Sequence, residues 1–200
     1  MPASSDGGVG KTHGVSVARD AVRTSLDHAF GRVRWVLEDV GEDDCFWEPA
    51  PLCWSVRART DAGRGWGTGD FVVEDQWPQP KPLPVTSIAW RISHLAAWTD
   101  VYRNWTFEDQ TLGLGHFDVP GTREGLCAWL QTAQDRFHAC VEPLTDDELG
   151  DVRRAHYGAD LPVHRLVLGI AEEHTHHGAE IGLLRDLRRG RARVQTPPRP

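Results

Sequence analysis

Three histidines crowd into four positions near the C-terminus, His174, His176 and His177, with Glu173 immediately before them. Imidazole nitrogens and carboxylate oxygens are the donors that zinc and similar divalent metals take. The surrounding stretch reads as a helix, because Leu166, Ile170, Ile181 and Leu184 form one apolar stripe with Glu173 and His177 set into it. Residues four apart stand one above the other on a helix. At roughly 100° per residue, Glu173 and His177 lie about 40° apart around the axis, and the pattern points both into the core. A carboxylate and an imidazole facing inward are costly unless something pairs with them. A divalent metal is a natural partner, and a third ligand from another helix would complete the set.

His94 is the candidate for that third ligand. It lies in a run expected to open at Thr86 or Ser87, after Pro84, and to continue as helix to Trp105. Trp90, His94, Ala97 and Val101 share one face, and Ile88, Ile92, Leu95 and Tyr102 share another. A helix apolar on most sides is an interior helix, so His94 is expected to be buried. Taken alone, a buried histidine is more often a hydrogen-bonded core residue. With Glu173 and His177 in the same chain, it reads as a ligand. His174, three residues before His177, and His176 are alternates to Glu173, and the sequence leaves that choice open. Trp90, and Arg185 eight residues beyond His177, are candidate substrate contacts. An ion pair of Arg185 with Asp186, Glu180 or another helix is the favoured alternative.

Periodicity supplies the helices that carry these groups. Val22, Leu26, Ala29, Val33, Val36, Leu37 and Val40 predict a first helix from Val17 to Val40. Gly41 to Pro84 is irregular and rich in tryptophan, proline and glycine, with Phe71-Val72-Val73 as a short strand. A link of that length in a compact domain is a structural cover or the wall of a pocket. A third helix opens at Pro120 or Thr122 and carries Leu126, Leu130, Ala133, Phe137, Val141 and Leu144. Thr145 and Glu148 resemble a capping box. The last helix is expected over Leu161–Arg189, closed by Gly190. The fold class is therefore all-α: a four-helix bundle over residues 16–190, with a long irregular insertion between its first two helices.

Residues 1–15 read as a flexible arm and residues 191–200 as a disordered Pro/Arg tail. Gly7-Gly8-Val9-Gly10-Lys11-Thr12 looks like the end of a phosphate-binding loop, but no strand precedes it and Ser5 stands where that motif needs glycine. The net charge of −7 offers no basic face for nucleic acid, and no apolar run reaches the roughly 20 residues of a membrane span. Cys45, Cys53, Cys127 and Cys140 match no metal-binding spacing, and reduced thiols in a cytoplasmic protein are expected, with a Cys45–Cys53 disulfide left open.

The segments Ser87–Leu95 and Glu173–Asp186 resemble the signatures of the DinB-like (DinB/YfiT) superfamily. Phe46-Trp47-Glu48-Pro49 and Cys53-Trp54-Ser55-Val56-Arg57 look like an actinobacterial branch of it. The resemblance implies a bundle that holds a divalent metal through one histidine of the second helix and a pair four apart in the last. These map to His94 and His177, with Glu173 where the commonest pattern has histidine. A His/Glu/His set is similar to that of the mycothiol-dependent maleylpyruvate isomerases. The resemblance thus implies a metalloenzyme carrying zinc first, with nickel or iron as alternatives. Its reaction would be an S-transfer or isomerisation of a small electrophile using mycothiol or a similar thiol as co-substrate. Hydrolysis of a small molecule at the same metal is the rival, and a non-enzymatic, stress-associated homodimer is a third reading. Nucleic acid and membrane are not expected partners.

Overall fold

The computed structural model describes residues 16–195, with side chains through Arg191. The glycine-rich stretch Gly7–Thr12, the expected arm and the end of the expected tail lie outside the described residues. In chain order the elements are α1 (Val17–Glu38), α2 (Glu42–Cys45), β1 (Val56–Ala58), β2 (Gly65–Trp66), β3 (Phe71–Glu74), α3 (Ile88–Phe107), α4 (Arg123–Val141), α5 (Asp146–Gly150), β4 (Val152–Arg154), β5 (Asp160–Pro162) and α6 (Val163–Gln195). The chain is mostly helical. The strands correct the all-α expectation: β1, β3 and β2 form an antiparallel sheet in that order, and β4 pairs with β5. Each strand has only two to four residues, too few for a period-two pattern to stand out in sequence.

The long helices start at side-chain caps. Ser16, Ser87 and Thr122 each accept a hydrogen bond from the third residue beyond, and the expected Thr145–Glu148 capping box is present before α5. Several ends depart from expectation: α1 stops at Glu38 rather than Val40, and α3 runs on past Trp105 to Phe107. The last helix begins at Val163, because Leu161 and Pro162 are taken by β5 and Val163 N donates to Asp151 O at 2.9 Å. It also runs past Gly190 to Gln195. Arg188 and Arg189 tie that turn to Asp44 and to the Asp39 carbonyl, which offsets the roughly 1 kcal/mol that glycine costs inside a helix.

The helix α1 packs along α6, and α3 packs on both α4 and α6. The stripe Val22–Leu37 of α1 is buried as the spacing predicts, with Val40 buried just beyond the helix end, as are Leu126, Leu130, Ala133, Phe137 and Val141 of α4. The middle helix α3 is covered on nearly every side, with Ile88, Ala89, Ile92, Leu95, Ala96 and Ala97 all within 1% of full burial. The segment between α1 and α3 lies over one end of this core, where Cys45, Val56 and Val73 join it. It is stitched to the start of α3: Ser87 N donates to Trp54 O at 2.9 Å, and the hydroxyls of Ser55 and Ser87 are 2.8 Å apart and buried. All four cysteines are free thiols. Among the described residues no helix is long and apolar enough to cross a membrane.

Candidate metal centre

The candidate ligands meet between α3 and α6. His94 Nε2 and His177 Nε2 each stand 3.4 Å from Glu173 Oε2, and the donor atoms of the three residues all lie within 4.8 Å of one another. The two imidazole rings are edge to face, with centroids 4.7 Å apart. His94 and His177 are largely buried, whereas the Glu173 side chain is 44% exposed. The cluster is therefore a boundary site, closed on its histidine side and open at its carboxylate.

That opening corrects the expected inward stripe of α6. The core position is taken by His174, which is completely buried against Phe30 of α1 with ring centroids 4.5 Å apart. Its Nδ1 donates to Ile170 O at 2.9 Å. Glu173 and His177 flank this stripe on the side facing α3, because α6 is held by α1 on one side and α3 on the other. Of the alternates, His174 faces away from the cluster toward α1. His176 is 63% exposed and lies 3.3 Å from Glu180. Arg185 is not at the cluster: it donates to Asp186 at 3.0 Å and to the Val36 carbonyl at 3.4 Å, on the α1 side. Eight residues is a little over two helical turns, so its direction differs from that of His177 by roughly 80°.

Trp90 stacks on His94 with centroids 4.9 Å apart and 18° between planes, and Trp98 meets the same imidazole edge-on at 6.1 Å. Trp90 is itself fixed by its indole N–H, which donates to Glu74 O at 2.7 Å. The end of β3 thereby orients the helix that carries His94. Sequence reasoning missed two residues that hold His177. Its Nδ1 donates to Glu180 Oε2 at 2.6 Å, and Arg91 pairs with the same carboxylate. The i,i+3 spacing of His177 and Glu180 was the available signal; Arg91 comes from a different helix and left none.

The electrostatics of the cluster reflect these contacts. Hydrogen bonds from His177 and His94 hold the Glu173 carboxyl well below the usual carboxylate range. Burial pushes the His94 imidazole below its ordinary value, against the pull of Glu173. Burial would raise Glu180, but the His177 hydrogen bond and the Arg91 charge outweigh it and leave this carboxyl lowered. Arg91 is lowered by burial, with Glu180 opposing.

This donor set fits a divalent metal. In the neutral tautomer of His177 that gives its Nδ1 proton to Glu180, Nε2 turns a lone pair toward the Glu173 carboxylate, and only the protonated ring donates from both nitrogens. Two acceptors face each other, and a cation is what reconciles them. A proton serves two groups; three converging donors suit a metal ion. Ligands about 2.1 Å from a tetrahedral zinc stand roughly 3.4 Å apart, which matches the separations from Glu173. A second grouping, His176, His177 and Glu180, uses the other nitrogen of His177, but Arg91 already occupies Glu180 there.

A family model for the DinB superfamily matches residues 72–181, a span that contains most of β3, all of α3 and α4, and the cluster. The chain belongs to the DinB superfamily. Among solved structures, a DinB-like protein from Bacillus subtilis is similar, with 11% identity, a TM-score of 0.51, and coverage of 83% of this chain and 90% of that one. A conserved protein from Enterococcus faecalis is similar too, with 15% identity, a TM-score of 0.53, and coverage of 87% and 98%. At such identities these likenesses establish the DinB-like fold alone. No curated protein matches.

Proposed function

We propose that this DinB-superfamily protein is a metal-dependent enzyme acting on a small molecule. In this reading His94, Glu173 and His177 hold one divalent ion, zinc before nickel or iron, inside a four-helix bundle with an irregular insertion after its first long helix. The observation that carries the reading is the convergence of two imidazole nitrogens on one carboxylate oxygen at 3.4 Å each. When bound, such an ion supplies Lewis acidity and can hold a thiol as thiolate. The chain's residues supply the rest. Glu180 and Arg91 hold His177 with Nε2 facing the site, Trp90 holds the His94 ring, and the exposed side of Glu173 leaves an approach for a small molecule.

The preferred reaction is S-transfer or isomerisation of a small electrophile with a low-molecular-weight thiol of the mycothiol type. The resemblance to an actinobacterial branch and to the maleylpyruvate isomerases supports it. So does the state of the protein's own thiols: burial pushes all four up, Cys53 to about 11, which leaves none of them a ready thiolate at neutral pH. The test is metal analysis of protein purified without a histidine tag, in wild type and in His94→Ala. Near-stoichiometric metal in the first and none in the second is expected; full occupancy in the variant would overturn the ligand set. A loaded enzyme whose turnover is indifferent to added thiol would point to hydrolysis instead.

A further inference from the structure

The segment between α1 and α3 covers the core, and it also borders a hollow of its own. Two stretches of it, Pro51–Trp54 and Pro80–Val85, line a cavity of about 770 Å³. That volume falls within the roughly 300–1,000 Å³ of small-molecule sites. Prolines 51, 80, 82 and 84 recur along the lining, and the locked φ of proline stiffens such a wall. Leu52, Leu83 and Val85 are exposed on it, Leu52 to 89%. Leu52 is held there at a φ of 62°, the left-handed conformation that a leucine adopts only against its preference. Apolar side chains gathered in water around a hollow mark a place where something binds. None of the lining residues belongs to the metal cluster.

The rest of the lining is charged. Arg57 of β1 donates from Nε to Glu74 Oε2 at 2.8 Å; its Nη2 stands 2.8 Å from Glu48 Oε1 and donates to Cys53 O at 3.1 Å. Glu74 Oε2 takes a further bond from Ser55 N at 3.0 Å. One guanidinium is thus shared between two carboxylates, and the second oxygen of each has no partner among the described residues. Glu74 has only 16% of its side chain exposed, so its charge is poorly screened. Lys81, the other cation on the lining, stands on exposed chain where water and salt screen it.

We propose that this hollow binds a small amphiphilic cation, a primary amine on an apolar body, with its ammonium at Glu48 and Glu74 and its body against Trp54, Leu83 and Val85. An ammonium offers three donors and no acceptor, which suits carboxylate oxygens that lack a partner. A hydrogen bond between two charged groups is roughly twice as strong as a neutral one. The apolar walls reward a body that covers them, so a bare cation gains less here than an amphiphilic one. The site stands apart from the His94–Glu173–His177 centre and does not depend on the metal reading.

The experiment is calorimetry on the full chain with three probes that share one body: phenethylamine, protonated at neutral pH, phenethyl alcohol and phenylacetate. The amine is expected to bind about tenfold more tightly than the alcohol, and the carboxylate more weakly than either. Glu48→Gln should cut the amine's affinity about fivefold and leave the alcohol's unchanged, while Leu83→Ser weakens both. Lys81→Ala removes the like charge from exposed chain and should raise the amine's affinity, which keeps the charge testable should Glu48→Gln disturb the Arg57 pair. An amine no tighter than the alcohol, an amine affinity that does not rise in Lys81→Ala, or no binding by any of the three probes overturns the site.

Discussion

His177 works through both of its nitrogens, one turned to the cluster and the other held by Glu180. A partner of that kind fixes tautomer and orientation, and losing one typically costs 10–100-fold in metal affinity. Glu180→Gln is accordingly expected to weaken zinc binding about 10–100-fold without abolishing it, measured by competition with a chelator; unchanged affinity would show that Glu180 does not support the ligand. His174, one residue from Glu173, answers to a different constraint. Burial lowers its pKa from 6.5 to about 4, so below pH 6.5 the unfolded chain takes up a proton that the folded chain refuses. Stability should fall by roughly 3 kcal/mol as pH drops from 6.5 to 4 and then level off, as far as this group is concerned. His174→Leu should remove that part of the loss, so that the variant gains on the wild type steadily between pH 6.5 and 4 in denaturant melts. Parallel pH profiles would refute the assignment.

Between elements, the contact of α1 with α6 sets the direction in which α6 presents its two ligands. Gly178 lies in this contact, and a Cβ added there would come 2.9 Å from Val33 Cγ2. Gly178→Ala is expected to destabilise the protein by about 1–3 kcal/mol through overpacking, although alanine by itself favours a helix. In a Val33→Ala background the same substitution should be neutral or stabilising, since the clashing methyl is gone. A double-mutant cycle by urea unfolding measures the coupling, and additive effects would mean that the helices part without cost. The β1–β3–β2 sheet acts on the other partner. Through the Glu74 carbonyl it holds Trp90, and through Trp90 the His94 ring.

Across the whole molecule, the cluster joins α3 to α6 through residues 79 positions apart in the chain. An ion bound there binds the folded protein and finds no such set in the unfolded one. At a free zinc concentration about a hundredfold above Kd, linkage adds about 2.7 kcal/mol. For a chain of this size that corresponds to a rise in Tm of roughly 5–10 °C. Thermal melts with zinc and with a chelator should differ by that amount in the wild type and coincide in His94→Ala. Coincident curves in the wild type would mean that the three side chains pair among themselves alone.

Apolar periodicity made the four long helices and most of their buried stripes legible, because a spacing of about 3.6 repeated over many turns is a strong local signal. Ser87 and Thr122 likewise marked their helix starts through local capping chemistry, and residue type alone singled out His94, Glu173 and His177. Direction was not legible. Around α6 every face has some apolar character, so the stripe did not tell His174 from Glu173; the packing of α1 on one side and α3 on the other decided which histidine is core and which meets the cluster. Arg91 beside Glu180 and Arg57 beside Glu74 were invisible for the same reason. Spacing along a chain fixes neighbours on one element, whereas groups brought together from different elements are chosen by how those elements pack.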